Sequence, residues 1–233
     1  MTNVALPTRR RTATWLAIAI VAFAAIVLGS HLLTQALFGA PPPSSAFLMT
    51  GALQFALAVL LYGLVSRRSA AVPLAPSRPA SDWREVGIGA LVVVAFAALQ
   101  LLVLIPSTGG TARADVVANL AQLDPTPLGL LGFLTLAVLG ALAEEYFFRG
   151  IFLSSVRALG GGGRLGTGSG VALTTVLFAL SHGYQGWAGI IDTGLFGGLA
   201  LSLLYVWRRS LIAPMVAHAG WNLVAGLWLW SIA

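Results

Sequence analysis

Two adjacent carboxylates, Glu144 and Glu145, and an arginine four residues on, Arg149, sit in the stretch 141-ALAEEYFFRG-150. The segment before it, 128-LGLLGFLTLAVLG-140, has no charge at all. On a helix Glu145 and Arg149 share a face and can neutralise each other. Glu144 points about 100° away and has no such partner, which leaves its carboxylate free for chemistry. Two further pairs stand at the same four-residue spacing: Phe178 with His182 in 177-LFALSHG-183, and His218 with Asn222 in 217-AHAGWN-222. A carboxylate and an imidazole can bind a metal or polarise water. Histidine and asparagine can stabilise an oxyanion. Each pattern alone is weak, since a lone histidine in an apolar helix is more often a hydrogen-bonded packing residue.

The elements that must position these residues are set by composition. The chain has 233 residues, 58% hydrophobic and 9% charged, with a mean hydropathy of +0.91. A soluble domain carries roughly a quarter charged residues, so this is a polytopic membrane protein. No cysteine is present, which excludes disulfides and thiolate metal sites. The net charge of +6 comes from arginines scattered among short loops, not from a basic stripe, so nucleic acid is not an expected partner. The all-arginine basic set and abundant Ala and Gly suggest a GC-rich bacterial genome.

A spanning helix needs about 20 apolar residues. Seven spans are expected, near 14–38, 46–66, 86–106, from Pro127 to the glycines at 160–163, 169–185, 188–207 and 211–231. The fold class is therefore all-α, a transmembrane bundle of about seven helices. Residues 1–124 hold the first three spans and residues 125–233 the motif-bearing ones. The first run is too long for a signal-peptide core and reads as a retained helix. Segment 69–83, rich in Pro and Ser, reads as a cytoplasmic loop. Segment 112–124 places Val116, Val117, Leu120 and Leu123 at helical spacing, as in a short interfacial helix.

With the N-terminus inside, every arginine but Arg113 falls on the cytoplasmic side (Arg149 at the membrane end of its helix). That is the positive-inside bias. It places the protein in a bacterial cytoplasmic membrane with its N-terminus in and its C-terminus out. Glu144 lies about 24 Å along its helix, and Glu144, His182 and His218 are expected to meet in the middle-to-cytoplasmic part of the bundle. Ionisable groups at such depth are costly and mark function by default. The bland readings are a structural Glu145–Arg149 pair, Gln100 as interface glue, Asp192 as a helix-end acid, His31 as a packing residue, and the glycines at 183–186 and 197–198 as sites of close packing. A proton or cation relay in a transporter or channel, or a silent scaffold, stands beside a hydrolytic centre.

Together the motifs Glu144-Glu145-x-x-x-Arg149, Phe178-x-x-x-His182 and His218-x-x-x-Asn222 resemble, in type and order, those of the CPBP family of intramembrane proteases. That family comprises the type II CAAX prenyl endopeptidases and the Abi-type bacteriocin-processing proteins. The resemblance covers roughly 125–231 and says little about the first three spans. It implies an endopeptidase with a conical intramembrane cavity open toward the cytosol, acting on a membrane-associated peptide or protein. It implies that Glu144 and His182 activate water while His218 and Asn222 support the oxyanion. Glu145, Arg149 and Phe178 become structural or substrate-orienting. Cofactor use is left open: Glu144, His182 and His218 make an acceptable set for a divalent metal such as zinc, and the amide of Asn222 suits chemistry without one.

Overall fold

The computed structural model describes residues 6–69 and 82–233. The expected cytoplasmic loop lies outside the described residues except at its ends. Among the described residues there are helices and turns and no strand. Helix α1 is Leu6–Phe38 and α2 is Phe47–Arg68. Helix α3 is Asp82–Ser107, and the short α4 is Ala114–Leu120. Helix α5 is Pro127–Leu159, α6 is Arg164–Ser181, α7 is Gly183–Arg208 and α8 is Ile212–Ile232.

Each expected span has its helix, but only six are long and apolar enough to cross a membrane by length and composition. The exception is α6, where Gly166, Thr167, Gly168, Ser169 and Gly170 dilute the hydropathy of the first half. Helix α1 also begins before the expected start, running through Arg9, Arg10 and Arg11, because arginine is a good helix former and costs nothing where it is solvated. The helical spacing expected in 112–124 is matched by a helix, α4.

Helix α5 occupies the centre. Thr126 caps it, its hydroxyl accepting from the Gly129 amide at 3.0 Å, with Pro127 in the first turn where its missing N–H does no harm. Its first half packs between α2 and α8. A Cβ on Gly51 of α2 would lie 2.9 Å from the Leu136 backbone, so the two helices meet almost backbone to backbone. Helix α3 lies against α8, and α6 lies against the middle of α7. Val21, Leu28, Leu60 and Leu102 are exposed on the outer surface, where lipid would cover them.

The two ends of the bundle differ in charge. One end carries Arg9–Arg11, Arg67, Arg68, Arg84, Arg157, Arg164, Arg208 and Arg209. There Arg11 donates to the Arg68 carbonyl, and Arg208 pairs with Glu85 at 2.6 Å. The other end carries α4 and the start of α5. Asp124 accepts there from the Ser44 amide at 2.6 Å and the Ser44 hydroxyl at 3.0 Å.

Three stretches, Gln100–Leu104, Tyr146–Leu153 and Thr193–Ala200, wind as π-helix. Such turns are rare and favour functional sites. The latter two face each other in the middle of the bundle.

Candidate active site

The π-helical turn of α5 begins directly after Glu144 and Glu145, and it buries Arg149 completely. Arg149 Nη1 donates to Glu145 Oε1 at 2.6 Å, and both side chains are fully buried. The other guanidinium nitrogen, Nη2, donates to the Gly197 carbonyl, with the Gly198 carbonyl at 3.3 Å. These carbonyls belong to the π-helical part of α7. The glycines there also let α7 close on Phe178, since a Cβ on Gly197 would come within 2.4 Å of that ring. Phe178 is buried and takes the Arg149 guanidinium over its face at 4.9 Å.

Helix α8 brings His218 to the same point. Its Nδ1 lies 2.8 Å from Glu145 Oε1, so one carboxylate oxygen serves both Arg149 and His218. A carboxylate against Nδ1 assigns the proton to that nitrogen and turns Nε2 toward Glu144, whose Oε2 stands 3.8 Å away. Glu145 is sealed, whereas the Glu144 side chain keeps 28% of its surface accessible. The two neighbours in sequence therefore occupy opposite environments.

His182 is placed differently from expectation. It is not inside a helix but follows the last turn of α6, which ends at Ser181. Its Nδ1 bonds the Phe178 carbonyl at 2.9 Å, with Ser181 Oγ at 3.2 Å, and its ring stacks obliquely on Phe178 at 4.8 Å. Among the described residues no hydrogen bond joins His182 to Glu144. Phe178 is the link between the histidines, its ring also meeting His218 at 5.6 Å. Asn222 donates to the Ala137 carbonyl of α5 at 3.0 Å, which leaves its amide a second N–H.

Glu144, His182, His218 and Asn222 line one cavity of about 620 Å³. It extends from the site toward α4, bordered there by Arg113, Asn119, Tyr184 and Trp228. Among the described residues, none of the arginines at the charged end lines it. Toward that end the core is closed by Leu153, Tyr205, Ala213 and Ala217, all at most 1% exposed.

Of four polar residues near the cavity, sequence reasoning gave Arg113 no role and Asp192, Gln100 and His31 only structural ones. Arg113 donates to Asp115 Oδ1 at 2.7 Å and lies 2.6 Å from Asp192, tying α4 to α7 at the rim. The hydrogen bond to Asp115 holds the Arg113 guanidinium above its ordinary pKa, against the lowering effect of burial. Asp192 is therefore an ion-pair partner rather than only a helix-end acid. Gln100 opens the π-helical stretch of α3 and lines the cavity, as does His31 of α1. Only the spacing of aspartates around Arg113 could have hinted at the rim, and that signal is too common to use.

The donor set expected for a metal does not assemble. Among the described residues no group of three or more His, Asp, Glu or Cys side chains comes together closely enough to hold an ion. His218 commits Nδ1 to Glu145 and His182 commits Nδ1 to its own helix. The residues as placed do not fit a zinc site.

Fold and site together define a polytopic helical membrane protein with an acid–histidine centre at the bottom of an internal cavity. Residues 126–224 match the family model of Rce1-like type II CAAX prenyl endopeptidases. The matched segment holds Glu144, His182, His218 and Asn222. No curated protein and no solved structure matches the chain.

Proposed function

We propose that the chain is an intramembrane endopeptidase of a bacterial cytoplasmic membrane, with Glu144 as its general base. The observation that carries this reading is the division between the two glutamates. Glu145 is consumed by Arg149 and His218, while Glu144 faces the cavity with accessible oxygens. The burial of Leu153, Tyr205, Ala213 and Ala217 between the site and the arginine-bearing end supports a reaction vessel over a channel.

In this mechanism an apolar peptide segment enters the cavity beside a water molecule. Glu144 accepts one proton of that water. His182 orients it through Nε2, the nitrogen left bare when Nδ1–H donates to the Phe178 carbonyl. The oxygen attacks the scissile carbonyl carbon, and the carbonyl oxygen becomes an oxyanion. The second N–H of Asn222 and, when the ring is doubly protonated, Nε2–H of His218 donate to it. The C–N bond then breaks as Glu144 passes its proton to the departing amine. Water is consumed and two peptide ends form, with no change of oxidation state. Glu145, Arg149 and Phe178 act as positioning residues that hold His218 and the floor of the site.

The test is Glu144→Gln, which keeps volume and hydrogen bonding but removes the base. In detergent micelles with a library of internally quenched peptides, cleavage by the purified protein should disappear. Wild-type rates in the variant would remove Glu144 from the reaction, and a silent scaffold would show no cleavage in either protein.

A further inference from the structure

Resting on the hydrolase reading, we propose that Gln54 of α2 and Gln100 of α3 hold the substrate in the cavity by accepting hydrogen bonds from its backbone N–H groups. The substrate class is then an extended polypeptide segment, since an intact helix has already committed those groups internally. Both residues lie outside the segment 126–224 that matches the endopeptidase family.

The first observation is the state of the two side chains. Gln54 is 6% exposed and Gln100 5%, yet both line the cavity. The Ser30 hydroxyl donates to the Val27 carbonyl at 2.9 Å, so its oxygen is the acceptor in the 3.0 Å contact with Gln54 Nε2. That contact assigns the amide: the nitrogen is committed to α1 and the carbonyl oxygen Oε1 is turned to α5. A Cβ on Gly140, one helical turn before Glu144, would stand 3.6 Å from that oxygen. Gln100 is in plainer need, for its Oε1 is buried with no hydrogen-bond partner. A buried amide oxygen left bare is costly, so in a cavity wall it marks where a donor is to arrive.

The second observation is complementarity. A peptide in an apolar cavity must have both its N–H and its C=O groups bonded. Beside Glu144 the groups with capacity in reserve, Asn222 and His218, are donors and suit carbonyl oxygens. Phe23, Phe96, Phe133, Phe148 and Phe196 also line the cavity and offer no acceptor. The two glutamine oxygens supply acceptors for N–H, and they do so without the cost of a further intramembrane charge.

The two carboxamides stand at different heights. Cβ atoms on Gly89 and Gly220 would meet Val216 and Val93, so α3 runs beside α8 with Gln100 level with Leu227. A Cβ on Gly226 would meet Leu134 and Phe133, which puts Gln100 near the height of Phe133. From Phe133 to Gly140 is about 10 Å along α5 at 1.5 Å per residue. One N–H cannot serve both oxygens, so they take different peptide groups of a chain that advances about 3.3 Å per residue.

The test reads binding rather than cleavage. Protein carrying Glu144→Gln in detergent micelles is titrated with fluorescent apolar peptides, each compared with analogues in which one backbone N–H is replaced by an ester oxygen. Two ester positions should weaken binding about three- to tenfold, the worth of one neutral hydrogen bond. Adding Gln54→Met, close in volume but without the carbonyl oxygen, should erase the penalty at one of them. Gln100→Met should erase it at the other. Side chains that only pack would shift all affinities together and leave both penalties in place, which overturns the proposal. Equal affinity across the ester series in the parent protein overturns it too, even where a methionine variant fails to fold, as does a lack of binding by every peptide. Binding needs no base, so this result stands apart from the hydrolase reading, which is decided by cleavage with the wild-type protein.

Discussion

The half of the bundle between the site and the α4 rim differs from the half between the site and the arginine end in what its polar groups touch. On the rim side Glu144, Asn222 and His182 border open space and keep bonding capacity in reserve. On the arginine side Glu145, Arg149, Ser154 and Tyr205 bond one another and backbone carbonyls, as in the 2.9 Å contact between Ser154 and Tyr205 hydroxyls, with Glu145 Oε2 and Arg149 Nε left buried without a hydrogen-bond partner. The boundary between the halves passes between two consecutive residues. Because adjacent helical side chains point about 100° apart, one peptide bond is enough to place one glutamate in a wet site and its neighbour in a dry core. A catalytic base must remain unpaired, and a buried charge must not. Adjacent glutamates on one helix meet both demands.

The sharpest way to break this comparison is to remove a group from the wet side. Glu144→Gln should lower peptide hydrolysis by about 10²–10⁴-fold, the usual cost of losing a general base, with the thermal unfolding midpoint in detergent unmoved. A fall in that midpoint comparable with those of dry-side variants would mean Glu144 is structural too.

Next in size is the dry side. Arg149→Ala leaves Glu145 buried without its cation, a change that costs about 3–5 kcal/mol for a fully buried pair. The purified variant should unfold at markedly lower temperature. An inactive Arg149→Ala as stable as the wild type would move the arginine to the substrate side of the boundary.

Much of this boundary was legible in the sequence. The four-residue spacing of Glu145 and Arg149 is a helical geometry that needs no tertiary information, and a 2.6 Å pair stands there. Likewise the apolar periodicity of 112–124 was sufficient for α4. His182 was not legible, because hydropathy continues past it and nothing local says that α6 stops at Ser181. The cavity's shape was hidden for a different reason. It depends on which faces of the surrounding helices are left unpacked, and the π-helical turns shift those faces out of the 3.6-residue register. The links from Arg149 to Gly197 and Gly198 span 48 and 49 residues, beyond any local pattern.

A smaller effect is expected from Gly197→Ala. The added methyl would meet Phe178 at 2.4 Å, and overpacking of this kind costs about 1–3 kcal/mol. Because Phe178 touches both histidines, the variant should lose activity in parallel with stability, measured as kcat against unfolding midpoint. Stability lost with kcat unchanged would show that the two sides are not joined through that ring.

The smallest effect is predicted for chelation. Protein stripped of metal with a chelator should keep its hydrolytic rate, since Glu144, His182 and His218 do not gather into a ligand set. Inactivation reversed by added Zn²⁺, and lost again in His218→Ala, would require the three donors to move together in the working enzyme.

The reach of Arg149 to Gly197 and Gly198 also bears on how the chain is made. Helix α5 leaves the ribosome well before α7, and until α7 arrives the guanidinium has only Glu145 within its own helix. The nascent α5 is thus an incomplete membrane element, carrying a charge whose partners have not been synthesised. The hairpin of α6 and α7 closes that gap when it docks, because the Gly197 and Gly198 carbonyls are delivered together with Phe178. Arg149 thus binds α5 to two elements made after it, α6 through Phe178 and α7 through Gly197 and Gly198.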